Sequence, residues 1–275
     1  MESKIVLTQL LYFRSAHEMT IPSYRLVMDS NQLSPFLARA SQLRSHPQVT
    51  LALYVLTEIL LRPRVIVEEV LQKLSHFNVL IGLEPRHVMQ QVATLSEKEI
   101  ISFVPFRHAL RLPLNPSAAN ISQAREIKDR HRAFGGIMST RAKEARRQFR
   151  DRAIKPELST LSDALEIPFL KSLAFGAVSS HGTPTLTEDV LYNSVMRNQY
   201  LSKFFKTILF YMISYTRGWE NEDHNFDPSY HDDWTDITLP LYAGDEDIVL
   251  TADTKLRNAI EQLGRVRTGV ADDLK

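Results

Sequence analysis

The chain has 275 residues, 44% of them apolar, and a formal net charge of +1. That length fits one large α/β domain, or one domain with a sizeable insertion, and the apolar fraction suffices for a packed core. The near-neutral total excludes a chain that binds nucleic acid through bulk charge. The absence of cysteine excludes disulfides and thiolate metal sites, and fits a reducing, cytoplasmic setting.

No secretory leader is expected, because the first nine residues carry Glu2 and Lys4 beside only a short apolar run. The longest apolar stretches, residues 49–61 and 204–215, are too short to span a bilayer, so no membrane partner is expected. Residues 24–28 read as a buried strand ending at Asp29. Ser34-Pro35 predicts a helix start, and His46-Pro47 ends that helix. Residues 49–61 read as a helix closed by Pro63, and 65–77 as an amphipathic helix. Pro85 opens a further helix to about residue 95. Residues 100–104 read as a second strand, and Pro105, Pro113 and Pro116 mark a loop.

Residues 120–152 read as a basic helical segment, with a break expected at Gly135-Gly136. Residues 161–175 read as a further helix. The spacing Thr185 to Glu188 predicts a capping box and a long helix toward residue 215. An acidic loop over 220–232 leads to a short helix over 233–243. A third strand over 248–251 then reaches Asp253, and 254–263 form a closing helix. Few apolar strands separated by helices predict a parallel sheet covered by helices.

The balanced charge is segregated. Residues 122–155 hold eleven Lys or Arg against four acids, whereas 220–253 hold eleven acids and no Lys or Arg. A basic face serves a phosphate backbone, and clustered carboxylates serve a hard divalent cation. On the basic segment, Arg125, Arg132, Arg141, Arg146, Arg147 and Arg150 are the candidates for nucleic-acid binding. A charge run of this kind also has a plainer reading, as a solvated helical face.

Asp29 and Asp253 each follow an apolar strand, and in open parallel sheets ligands bind beyond the carboxyl ends of the strands. Glu58 lies in an otherwise apolar helix. Asp233 and Asp236 share a helical face. Carboxylates gathered in one pocket repel each other unless a cation neutralises them. Each acid also has a structural reading: Asp29 as a turn, Asp233 and Asp253 as helix caps, and Glu58 as part of a solvated stripe.

Taken in order, RLVMDSNQL (Asp29, Asn31), LTEIL (Glu58), DDWTDI (Asp233, Asp236) and IVLTAD (Thr251, Asp253) resemble the PIN-domain nuclease family. The likeness covers roughly residues 24–61 and 232–263. It implies a three-layer α/β/α sandwich with a central parallel sheet. The core would come from about 20–62 and 230–265, and 63–229 would supply a further strand and a mostly helical insertion containing the basic segment 120–155. It further implies an Mg²⁺- or Mn²⁺-dependent endonuclease, acting on RNA in preference to DNA. Asp29, Glu58, Asp236 and Asp253 would be catalytic, with Asp233 as a further metal ligand or an alternative third acid. Asn31 and Thr251 would orient those ligands. A homodimer or a regulatory protein partner fits the same resemblance. The alternative is a PIN-like RNA-binding or scaffold protein without turnover. Pro240 departs from the pattern, because it interrupts the helix that should carry the third acid.

Overall fold

The computed structural model describes residues 13–14, 25–40, 47–109, 116–133, 168–217, 237–262 and 266–274. The described residues divide into two compact units. One comprises Met1–Glu84, Val104–His131 and Tyr242–Lys275; the other comprises Pro85–Phe103 and Arg132–Leu241. The first unit therefore draws on 63–84 and 104–131 as well as on the two ends of the chain.

The first unit is built on a seven-stranded mixed sheet, mostly parallel. Its strands are β1 (Phe13–Arg14), β2 (Arg25–Met28), β3 (Gln48–Leu51), β4 (Asn78–Gly82), β5 (Phe106–Ala109), β6 (Ile248–Leu250) and β7 (Arg267–Gly269). Their order across the sheet is β1-β5-β4-β3-β2-β6-β7. Strands β4, β3, β2, β6 and β7 run parallel, while β5 and β1 pair antiparallel at one edge. The expectation of a wholly parallel sheet is corrected at that edge. Every residue of β2 and β3 is buried, as expected for strands covered on both faces.

Helices α1 (Ser30–Arg39), α2 (Leu53–Leu60), α3 (Arg64–Leu74), α6 (118–133) and α10 (Thr254–Gln262) accompany the sheet. Helix α1 packs against α2 and α3. It begins at Ser30, directly after Asp29, so Pro35 lies inside it and does not open it.

Residues 49–61, expected as one helix, are β3 followed by α2. An apolar run this short does not distinguish the two states by period. Pairing of β3 with both β2 and β4 decides for strand at its start. Strand β4, which was not expected from the sequence, has Gly82 as its last residue, where a Cβ would lie 2.5 Å from the buried Tyr242 ring, so only glycine fits. The Tyr242 hydroxyl donates to Leu83 O at 2.6 Å. Strand β5 likewise stands where a proline-marked loop was expected.

A buried ion pair closes the amino end of the β2–β6 pairing. Arg25 donates from its backbone N to Asp247 Oδ1 at 3.0 Å and from Nε at 3.2 Å, and its Nη2 bonds Oδ2. Its guanidinium lies 4.1 Å from the Phe106 ring centroid. Gly244 N donates to Asp247 Oδ2 at 2.5 Å.

The second unit is helical among its described residues: α4 (Pro85–Thr94), α5 (Glu97–Ile101), α7 (Pro168–Ser179), α8 (Glu188–Arg197) and α9 (Leu201–Arg217). The strand expected at 100–104 is instead helix α5 and its exit. Glu99 accepts from Ser96 N at 2.8 Å and Ser96 Oγ at 2.6 Å, a capping arrangement that starts the helix. The long helix expected to 215 is two helices, broken at buried Asn198. Asn198 Oδ1 accepts from Tyr200 N and Leu201 N at 2.9 Å, and Nδ2 donates to Ile100 O at 2.8 Å and Phe103 O at 2.9 Å. Those bonds end one helix, cap the next and hold both to the turn after α5. The helix expected at 233–243 is a 3₁₀ turn at Leu239–Tyr242, which contains Pro240; residues 233–236 lie outside the described residues. No helix among the described residues is long and apolar enough to cross a membrane.

Candidate functional site

The connections around β2 and β6 diverge. From β2 the chain crosses through α1 to β3 on one side; from β6 it crosses through α10 to β7 on the other. This reversal is a topological switch point, where the loops leaving two neighbouring strands part and open a crevice at their carboxyl ends. Met28 and Leu250 are in register, so Asp29 and Thr251 are the first residues past the two strands. Asp29 N donates to Leu250 O at 3.0 Å, and Thr251 N donates to Gly269 O at 3.1 Å.

Side-chain bonds then join the two loops. Thr251 Oγ1 donates to Asp29 Oδ2 at 2.7 Å, and Asn31 Nδ2 donates to the same oxygen at 2.6 Å. Asn31 Oδ1 accepts from Ala252 N at 3.2 Å, and Thr251 Oγ1 accepts from Asp253 N at 3.1 Å. Asp253 Oδ1 accepts from Leu256 N at 3.2 Å, so Asp253 caps α10. The result is a continuous hydrogen-bonded chain from Asp29 to Asp253, made of residues from both ends of the sequence.

Asp29 is 1% exposed. Burial raises its carboxyl above the ordinary aspartate range, against hydrogen bonds from Thr251, from the Ser30 and Asn31 backbone and from the Asn31 side chain, which pull it down. A carboxylate kept ionised in such a place gains from a cation.

The structure thus brings together Asp29, Asn31, Thr251 and Asp253. Glu58 lies half-buried on α2. Among the described residues no group of three or more His, Asp or Glu side chains is arranged to hold a metal. Asp29, Asp253 and Glu58 therefore do not form one by themselves. Asp233 and Asp236 lie outside the described residues, as do Arg141, Arg146, Arg147 and Arg150. Arg125 and Arg132 are exposed on α6.

Sequence reasoning missed Glu84, a buried carboxylate two residues beyond β4. It holds Arg130 of α6 through a two-pronged ion pair, Nε to Oε1 at 3.1 Å and Nη2 to Oε2 at 3.2 Å. A signal was present in the apolar run Val79–Ile81, which Gly82 and Leu83 separate from Glu84.

Comparison of the chain with family models, with curated proteins and with solved structures found no match.

Proposed function

We propose that this chain is a metal-dependent endonuclease that hydrolyses phosphodiester bonds, with RNA preferred over DNA, on a PIN-like three-layer α/β/α frame. The observation that carries the reading is the bonded chain Asp29–Thr251–Asp253 across the switch point. Two acids from the ends of neighbouring parallel strands are tied there by a hydroxyl that satisfies one and takes the backbone N–H of the other.

The donor chemistry fits Mg²⁺ or Mn²⁺, which take hard oxygen ligands. Asp29 and Asp253 would hold the ion, with Glu58 and with Asp236 or Asp233 as the remaining acids. A bound divalent ion supplies activation of water and neutralisation of charge on the leaving oxygen. The chain's own residues do the rest. Thr251 and Asn31 fix the Asp29 carboxylate in one orientation. The α10 cap fixes Asp253. Arg125 and Arg132, with Arg141, Arg146, Arg147 and Arg150, provide cations for the phosphate backbone.

The test is cleavage of single-stranded RNA by the purified chain. The reading expects cutting with Mn²⁺, none with excess chelator, and none by Asp29→Asn or Asp253→Asn. Binding of RNA without any cutting would instead favour a non-catalytic RNA-binding or scaffold role.

A further inference from the structure

Helix α6 brings a cation to the same end of the sheet as Asp29. Arg130 is fastened to Glu84, which follows β4. The next residue, His131, is buried with its ring edge-on to Tyr54, centroids 5.9 Å apart. Tyr54 stands in the first turn of α2, directly after β3, and shares a helical face with Glu58 one turn on. Strands β2, β3 and β4 are consecutive neighbours. Asp29, Tyr54 and Glu84 therefore mark the carboxyl edge of three adjacent strands, and Arg130 sits at its third position.

The exposure of the pair is asymmetric. The Glu84 side chain is 7% exposed and that of Arg130 is 40% exposed. A buried carboxylate that grips Nε and Nη2 fixes the plane of the guanidinium. A guanidinium carries five N–H donors, and the two bonds to Glu84 take one from Nε and one from Nη2. A cation oriented this way loses little freedom on binding an anion, and its flat fork matches a phosphate better than a lysine does. The same cluster contains His131 Nε2, buried and with no hydrogen-bond partner among the described residues, a polar atom that costs stability unless satisfied.

We propose that Arg130, oriented by Glu84, is a phosphate-binding residue that holds the backbone of single-stranded RNA along the carboxyl edge of the sheet. This rests on the nuclease reading above and adds to it a specific contact.

The experiment is fluorescence anisotropy of a labelled oligo(U) strand with the full chain in chelator, across a salt series, followed by cleavage kinetics with Mn²⁺. The variants are Arg130→Lys and the double variant Glu84→Gln/Arg130→Gln, which does not strand a buried carboxylate. Arg64→Gln, on an exposed cation of α3, is the control. Loss of one phosphate contact should weaken binding about three- to tenfold and lower the salt slope by about 0.7. KM should rise with kcat unchanged, Arg130→Lys should fall between, and Arg64→Gln should match wild type. A folded double variant with wild-type affinity, salt slope and KM would overturn the proposal and leave the nuclease reading standing. A wild-type chain that neither binds nor cuts RNA would overturn both.

Discussion

Thr251 donates its hydroxyl proton to Asp29 Oδ2 at 2.7 Å although the two residues are 222 positions apart in the chain. The bond is buried and spans the boundary between β2 and β6, and the same hydroxyl oxygen accepts from Asp253 N. One side chain thereby sets the positions of both acids.

Thr251→Val keeps the shape and removes the donor. Among the described residues, Asp29 Oδ2 then retains one side-chain donor, Asn31. Stability should fall by about 1–3 kcal/mol, the worth of a buried hydrogen bond to a charged group. Mn²⁺-dependent cleavage should fall about 10–100-fold, as when a group that orients a metal ligand is lost. Thr251→Ser should restore most of both. Urea unfolding and cleavage rates check this, and a Val variant as active as wild type would remove Thr251 from the site.

The Asp29 carboxyl is raised by burial. A group whose folded pKa is raised contributes stability below its unfolded pKa and loses it as pH climbs through the folded value. At neutral pH an ionised Asp29 is therefore a net burden in the metal-free chain. Asp29→Asn should raise the melting temperature at pH 7, and the gain should shrink as pH falls through the raised folded value and level off within the ordinary aspartate range. Melting curves against pH, with and without Mn²⁺, test it; a lower melting temperature for the variant at pH 7 would refute it.

At the other end of the same strands, Arg25 and Asp247 are both almost fully buried. Asp247→Ala would remove the buried carboxylate that pairs with the guanidinium, which should cost about 3–5 kcal/mol. Equilibrium unfolding in urea reads this directly. A loss below about 1 kcal/mol, the worth of an exposed pair, would show that the pair does not hold β2 to β6.

Burial lowers the His131 imidazole pKa, against an upward pull from Glu84 and with a smaller downward push from Arg130. A depressed folded value means the unfolded chain binds the proton first. Stability is then fully present above the ordinary imidazole range and declines as pH falls through it toward the folded value. The slope of unfolding free energy between about pH 7 and pH 5 should flatten in His131→Phe. Equal slopes in the two proteins would remove His131 as the titrating group.

The parts of the fold that were legible in the sequence were those with local signals. Strand β2 ends at an aspartate, and β6 is followed by Thr-Ala-Asp. The amphipathic period of α3 and the proline that opens α4 are equally local. The misread parts depend on partners distant in the chain. Strand β3 is a strand because β2 and β4 flank it, and its own residues suit a helix as well. Strand β5 is recruited by antiparallel pairing with β4. The break at Asn198 requires the carbonyls of Ile100 and Phe103.

Asn31 and Thr251 were named from the family resemblance, and the structure bonds both to Asp29. Glu84 was missed because strand β4 itself was not assigned. Glu58 carries no signal of its direction, since Thr57 and Ile59 beside it are both buried.

We propose that Asp29 and Asp253 share one divalent cation. Calorimetric titration of Mn²⁺ into the metal-free chain measures it most directly. The account predicts saturable binding by wild type that Asp29→Asn and Asp253→Asn each abolish while both variants stay folded. Equal Mn²⁺ affinity in wild type and both variants would contradict it.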